Sequence, residues 1–134
     1  MTIDDLRRLR DLARLVEAHR VARYADEKQR SETAAAAVAK LTNEIDAARD
    51  AASGSEEIAL LAAAERWGRA AEAKFGPKSD QLADQRAIED LSRKDASEAV
   101  GRVQAIAVIE REITRTRTIA ARRKAEQEGR GTTI

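Results

Sequence analysis

The sequence predicts an all-α protein, built as a long antiparallel coiled-coil hairpin with a short helix near the turn. Ala, Glu, Lys, Leu and Arg supply 77 of the 134 residues, and these residue types lose little side-chain freedom in a helix. Leu, Ile, Val and Phe supply only 25, which is too few for a thick core but sufficient for a narrow seam between helices. The formal net charge of +1 lacks the charge imbalance that keeps polar chains unfolded.

The first predicted helix covers residues 4–52, a stretch that contains neither Gly nor Pro. Thr2 is placed to cap it, and Asp4 and Asp5 in its first turn complement the helix dipole. After an apparent slip in the repeat near Arg20, apolar and small residues recur with heptad spacing. The predicted seam positions are Tyr24, Glu27, Ser31, Ala34, Val38, Leu41, Ile45, Ala48 and Ala52.

Two breaks divide the rest of the chain. Ser53-Gly54-Ser55 ends the first helix and starts a short second helix over residues 56–75. The segment Gly76-Pro77-Lys78-Ser79 holds the only proline and predicts a second break. A third helix is then expected over residues 80–128, with a frayed tail at 129–134. The two long helices favour a single hairpin domain, and a three-helix bundle is the alternative.

The predicted core is a seam of apolar side chains shared by the two long helices. One conflict lies at residues 113–119, where β-branched residues alternate as in a strand. An isolated strand has no partner in this sequence, so helix is the prediction there. The residues expected in the core seam are Val38, Leu41, Ile45, Val103, Ile106, Ile109 and Ile113.

Charge is distributed unevenly along the chain. Residues 7–30 carry a net charge of +4, residues 31–110 carry −5, and residues 111–130 carry +4. An antiparallel hairpin brings the two basic segments together at its open end. Charged helix faces are also commonly no more than solvated, so the pattern alone leaves both interpretations open. The predicted partner-binding residues are Arg7, Arg8, Arg10, Arg14, Arg122, Arg123 and Lys124.

No catalytic, cofactor-binding or metal-binding constellation is visible, so we expect a protein that is not an enzyme and needs no cofactor. The chain has no cysteine, and its single histidine, His19, lacks convergent partners. Scarce aromatic residues and interleaved acidic residues disfavour nucleic acid as a ligand. Nothing resembles a signal peptide or a transmembrane segment, so we expect a cytoplasmic protein.

Three features together resemble a known family. They are the opening Leu6-Arg7-Arg8-Leu9-Arg10-Asp11-Leu12, the breaker-bounded middle containing Trp67, and the arginine-rich end from Ala120 to Glu126. The chain resembles the export-stalk proteins of bacterial flagella and type III secretion systems, the FliJ/YscO type. That resemblance implies a coiled coil that binds a hexameric export ATPase, an export gate or chaperones, beside a membrane-embedded apparatus. A generic coiled-coil scaffold or secretion chaperone is the alternative.

Overall fold

The computed structural model describes residues 1–131 and contains two helices there. Helix α1 spans Ile3–Gly54 and helix α2 spans Ile58–Gly131, joined by the turn at residues 55–57. The helices pack against each other, and no strand occurs in the described part of the chain. The predicted all-α helical hairpin is therefore confirmed. The three-helix bundle is wrong, because the second and third predicted helices are one.

Local side-chain hydrogen bonds fix the start of each helix. The Asp5 amide donates to Thr2 Oγ1 at 3.2 Å, and the Thr2 amide donates to Asp5 Oδ2 at 3.0 Å. This reciprocal pair is a capping box, and its hydrogen bonds from Thr2 lower the pKa of the Asp5 carboxyl. Ahead of α2, the Glu57 amide donates to Ser55 Oγ at 3.2 Å. Thr2 therefore caps α1 as the sequence predicts, whereas α2 begins at Ile58, two residues after the predicted start.

The predicted break at Pro77 is wrong, since α2 continues through it. Gly76 lacks a Cβ, which removes part of the clash that normally keeps the residue before proline out of the helical region. Pro77 itself is exposed, so water can reach the carbonyl that loses its helical partner. Ala71 before it and Leu82 after it are both buried. Packing on both sides of the proline favours one helix over two.

The seam repeats every seven residues along α1 without interruption, whereas in α2 it is interrupted at residues 72–78, which are all exposed. In α1, two series with this spacing are buried or half-buried, one from Leu6 to Ala48 and one from Arg10 to Ala52. The predicted slip near Arg20 is wrong. It followed from placing Leu9 and Val16 in the seam, but polar residues take the seam positions beside them. Arg10, Glu17 and Arg20 hold these positions, and their aliphatic stems can cover apolar neighbours.

The chain divides into two compact units, of which one comprises Ala22–Lys94. Its core is the cluster of Leu41, Ile45 and Ala71. The helices approach closely near the turn, because a Cβ built on Gly68 would lie 3.3 Å from the Ala48 Cβ. Farther from the turn the seam is polar. There Gln85 Nε2 donates to the Glu27 carboxylate at 2.7 Å and to the Glu27 carbonyl at 3.2 Å.

The other unit comprises Met1–Val21 and Asp95–Ile134. Leu6, Ala96, Ala99 and Ile106 are buried in it. Of the tail predicted to fray, residues 129–131 are helical and residues 132–134 lie outside the described part. We refer to this unit as the terminal unit.

The predicted core seam is occupied by most of its assigned residues. Leu41, Ile45 and Ile106 are buried, and Val38, Val103 and Ile113 are half-buried.

The predicted placement of Ile109 in the core seam is wrong, because 47% of this residue is exposed. Glu110 follows Val103 by seven residues and takes the seam position, so Ile109 is rotated about 100° away from it.

Candidate partner-binding site

The terminal unit contains a groove in which half of the lining residues are arginines, contributed by both helices. Its volume is about 730 Å³. Helix α1 contributes two arginines and α2 contributes three, together with one carboxylate. These charged lining residues are Arg10, Arg14, Arg111, Arg115, Arg122 and Glu110. We call this feature the basic groove.

Helical spacing explains why these side chains converge. Arg10 and Arg14 are four residues apart, as are Arg111 and Arg115, so each pair lies on one helix face. Arg122 follows Arg115 by seven residues, or about two turns. Thr114 and Thr118 lie between them in the lining and add hydroxyl groups. The Thr118 hydroxyl already donates to the Thr114 carbonyl at 2.9 Å, so the groove offers chiefly guanidinium donors along several turns of α2.

An ion pair between the helices closes one side of the basic groove. Arg10 Nη1 donates to Glu110 Oε2 at 2.8 Å, and both side chains are more than two-thirds buried. Arg10 Nε lies 3.6 Å from Asp11 Oδ1. This pair neutralises the carboxylate in the groove, so the remaining arginines set the sign of its potential.

Those remaining arginines have no acidic partner among residues 1–131 of the chain. Among residues 1–131, no carboxylate lies within 4.0 Å of four of the groove's guanidinium groups. These four are Arg14, Arg111, Arg115 and Arg122. Arg111 Nε instead donates to the Ala107 carbonyl at 3.4 Å. Unpaired guanidinium groups in a groove suit carboxylates or phosphates, which they can bind in a bidentate manner.

The structure brings only part of the predicted basic end into this groove. Arg10, Arg14 and Arg122 line it, whereas Arg123 and Lys124 line a neighbouring hollow that shares Ile119 with it.

Two predicted residues lie outside both cavities. Arg7 lies 3.9 Å from Asp4, and Arg8 is exposed. Sequence reasoning missed Arg111 and Arg115 as site residues, although their four-residue spacing was visible.

The end of α2 carries much of this charge without packing against α1. Every residue from 114 to 131 is exposed. A helix that stays exposed on all sides gains little from tertiary packing within its own chain. This segment is therefore available to a partner.

A second groove lies on the other flank of the seam in the terminal unit. Its volume is about 370 Å³, and it shares no lining residue with the basic groove. The two grooves lie on opposite flanks because successive helical residues are rotated by about 100°. Arg14, in the basic groove, immediately follows the seam residue Ala13. Leu9, in the second groove, immediately precedes the seam residue Arg10. Its lining includes Leu9, Leu12, Val16, Arg102, Ala105 and Ile106. We call this the apolar groove.

Comparisons with protein families, with curated proteins and with solved structures find no match, so no family is assigned. Within residues 1–131, no cluster of three His, Cys, Asp or Glu side chains has the arrangement of a metal site. In the same range, neither helix contains a stretch both apolar and long enough to cross a membrane.

Proposed function

We propose that this chain is a non-enzymatic coiled-coil adaptor whose basic groove binds an acidic segment of a partner protein. The observation that carries this proposal is the set of four groove arginines that have no carboxylate partner among residues 1–131. Carboxylates of a partner supply the acceptors that these donors lack, and they do so with bidentate geometry. The exposed end of α2 extends the same basic surface.

The resemblance to export-stalk proteins makes a hexameric export ATPase the first partner to test. In that role the chain acts as a stalk or adaptor that assists protein export, with the export gate and chaperones as further partners. Each exposed ion pair contributes about 0.2–1 kcal/mol, so several must act together. Their combined field speeds association, and that effect weakens as salt shortens the Debye length.

The test reverses three arginines of the groove and compares them with three arginines elsewhere. The groove variant is Arg14→Glu/Arg115→Glu/Arg122→Glu. The control is Arg23→Glu/Arg66→Glu/Arg86→Glu, which changes the net charge equally at exposed positions of the other unit.

Binding to the purified ATPase is measured by titration at low and at physiological salt. We expect the groove variant to bind at least about tenfold more weakly at low salt, which corresponds to about 1.4 kcal/mol. The control should remain within about twofold, and circular dichroism should show unchanged helicity in both. Equal losses in the two variants would mean that net charge, and not the groove, determines binding.

Duplex DNA provides the second arm of this experiment, because phosphates also bind guanidinium groups. Binding to DNA that the groove variant abolishes, together with no ATPase binding at either salt, would refute the protein-partner proposal. If neither the ATPase nor duplex DNA binds, the alternative hypothesis of a generic coiled-coil scaffold is the one left.

A further inference from the structure

Three of the unpaired arginines in the basic groove form a straight row along α2. Arg111, Arg115 and Arg122 are separated by four and by seven residues. Because successive helical residues are rotated by about 100°, the three lie within about 40° of one another around the helix axis. They span about 16 Å along α2 at about 1.5 Å per residue. We call these three residues the basic row. All three are exposed.

The lining beside the basic row adds few other polar groups that an occupant can bind. Thr118 lies within the same arc of α2, but its hydroxyl already donates to the Thr114 carbonyl at 2.9 Å. The Glu110 carboxylate accepts a hydrogen bond from Arg10. Ile119, on one side of the row, is 40% exposed. An occupant is therefore recognised by carboxylates in a line, with apolar contact beside them.

The basic row reaches past the beginning of α1. Arg10 and Glu110 are in contact, so they lie at one level of the terminal unit. Ile3, the first residue of α1, is seven residues before Arg10 and so lies near the level of residue 117. From about that level α2 extends beyond α1, and residues 118–127 are all exposed. This leaves room beside α2 for an element as long as the row.

The spacing of the basic row matches an α-helix. A helix that lies along α2 has the same rise per residue as α2. Its carboxylates at i, i+4 and i+11 face the three guanidinium groups if it is parallel to α2. The matching positions are i, i+7 and i+11 if it is antiparallel. In both cases the three carboxylates share one helix face.

An extended segment does not match the same row. It rises about 3.3 Å per residue, so about five residues separate its two ends over this distance. Successive side chains of a strand point to opposite faces, so a side chain five residues from the first points away from the groove. Its backbone N–H groups would also meet a row of donors, which supplies no acceptors for them.

We propose that the basic groove binds an acidic amphipathic α-helix of the partner protein, whose axis follows α2 and whose carboxylates pair with the basic row. This inference rests on the proposed function and specifies the form of the acidic segment. Each guanidinium group can bind a carboxylate in a bidentate manner. The bound helix lies beside the hairpin as a third helix of the terminal unit.

Two alanine-based peptides test the row, each about 20 residues long so that it can form a helix. They have the same composition and each carries four glutamates. In the row peptide the glutamates occupy i, i+4, i+7 and i+11, which places all four on one face and serves both orientations. In the split peptide they occupy i, i+2, i+9 and i+11, which turns the middle pair to the opposite face. Like-charge repulsion lowers the helicity of the row peptide, so a preference for it arises against this bias.

Fluorescence anisotropy of the labelled peptides, titrated with the full chain at low salt, measures binding. We expect the row peptide to bind at least about fivefold more tightly than the split peptide, which corresponds to about 1 kcal/mol. A row peptide with proline between its second and third glutamates keeps its charges but not its helix, so it should lose this advantage.

Matched variants of the chain locate the binding site. Arg115→Glu reverses the middle charge of the basic row and should abolish the preference for the row peptide. Arg117→Glu changes the net charge equally at an exposed position, but Arg117 is rotated about 200° from Arg115 and lies on the opposite side of α2. This control should keep the preference.

Equal binding of the row and split peptides would overturn the helical occupant. If the groove variant still loses the ATPase in that case, only this inference fails and the acidic partner stands. Absence of binding by both peptides, together with ATPase binding that does not distinguish the groove variant from its control, would refute both proposals. Equal effects of Arg115→Glu and Arg117→Glu would overturn the inference, because binding would then follow net charge. Duplex DNA that displaces the row peptide at an equal concentration of anionic groups would assign the row to nucleic acid instead.

Discussion

The close approach of the two helices at Gly68 offers a direct test of the packing. Gly68 lies in the interior of α2, where a glycine costs about 0.5–1 kcal/mol relative to alanine. Gly68→Ala removes that cost but places a Cβ 3.3 Å from the Ala48 Cβ. Carbon atoms in favourable contact are about 3.5–4.0 Å apart, so the helices must separate by a few tenths of an ångström.

The two effects are of similar size and opposite sign. Overfilling a packed site costs about 1–3 kcal/mol, and an overlap this small belongs near the lower limit. We therefore expect Gly68→Ala to change the free energy of unfolding by about zero, or to lower it slightly. Gly101 is the matched control, because it is also inside α2 but a Cβ there has nothing within 4 Å. Gly101→Ala should raise the free energy of unfolding by about 0.5–1 kcal/mol.

Urea unfolding followed by circular dichroism measures the difference between these variants. An unchanged m-value shows that the difference arises from stability and not from a change in the unfolded ensemble. A difference near 1 kcal/mol corresponds to a shift in Tm of about 4 °C for a chain of this size. The double variant Gly68→Ala/Ala48→Gly moves the missing methyl group to the other helix, so the effects of its two changes should not add. Equal stabilisation by Gly68→Ala and Gly101→Ala would refute the close approach.

Three further changes test the fold. Ile106→Ala should cost about 2 kcal/mol because Ile106 is buried, whereas Ile109→Ala should cost less than about 1 kcal/mol; equal costs in urea unfolding would contradict the seam assignment. Pro77→Ala restores a helical N–H donor in α2 and should stabilise the chain by about 1–3 kcal/mol; a lower Tm would indicate that the proline shapes the helix. The hydrogen bonds from Thr2 hold the pKa of Asp5 below its ordinary value, so its contribution to α1 is complete above about pH 4 and is lost as the pH falls through that lowered value. An NMR titration of first-turn amides should show this step in the wild type and lose it in Asp5→Asn.

Local features of the sequence were sufficient for the fold class. Composition favoured helix everywhere, and the run without Gly or Pro gave the length of α1. Thr2 marked the start of α1, because a cap depends on hydrogen bonds within a few residues of chain. The heptad from Tyr24 to Ala52 was also visible, since its side chains lie on one face whatever they pack against.

Tertiary packing decided the remaining features, because they depend on the opposite helix. Pro77 lies within α2 because seam residues on both sides of it pack against α1, which outweighs the local cost of proline. Arg10 occupies the seam and Leu9 does not, because the seven-residue repeat that holds along the whole of α1 includes Arg10. The apolar spacing near Leu9 favours another repeat, but only over a short stretch. The basic groove has the same origin. Arg14 and Arg115 are 101 positions apart in the sequence, and only the antiparallel register of the terminal unit brings them to one groove.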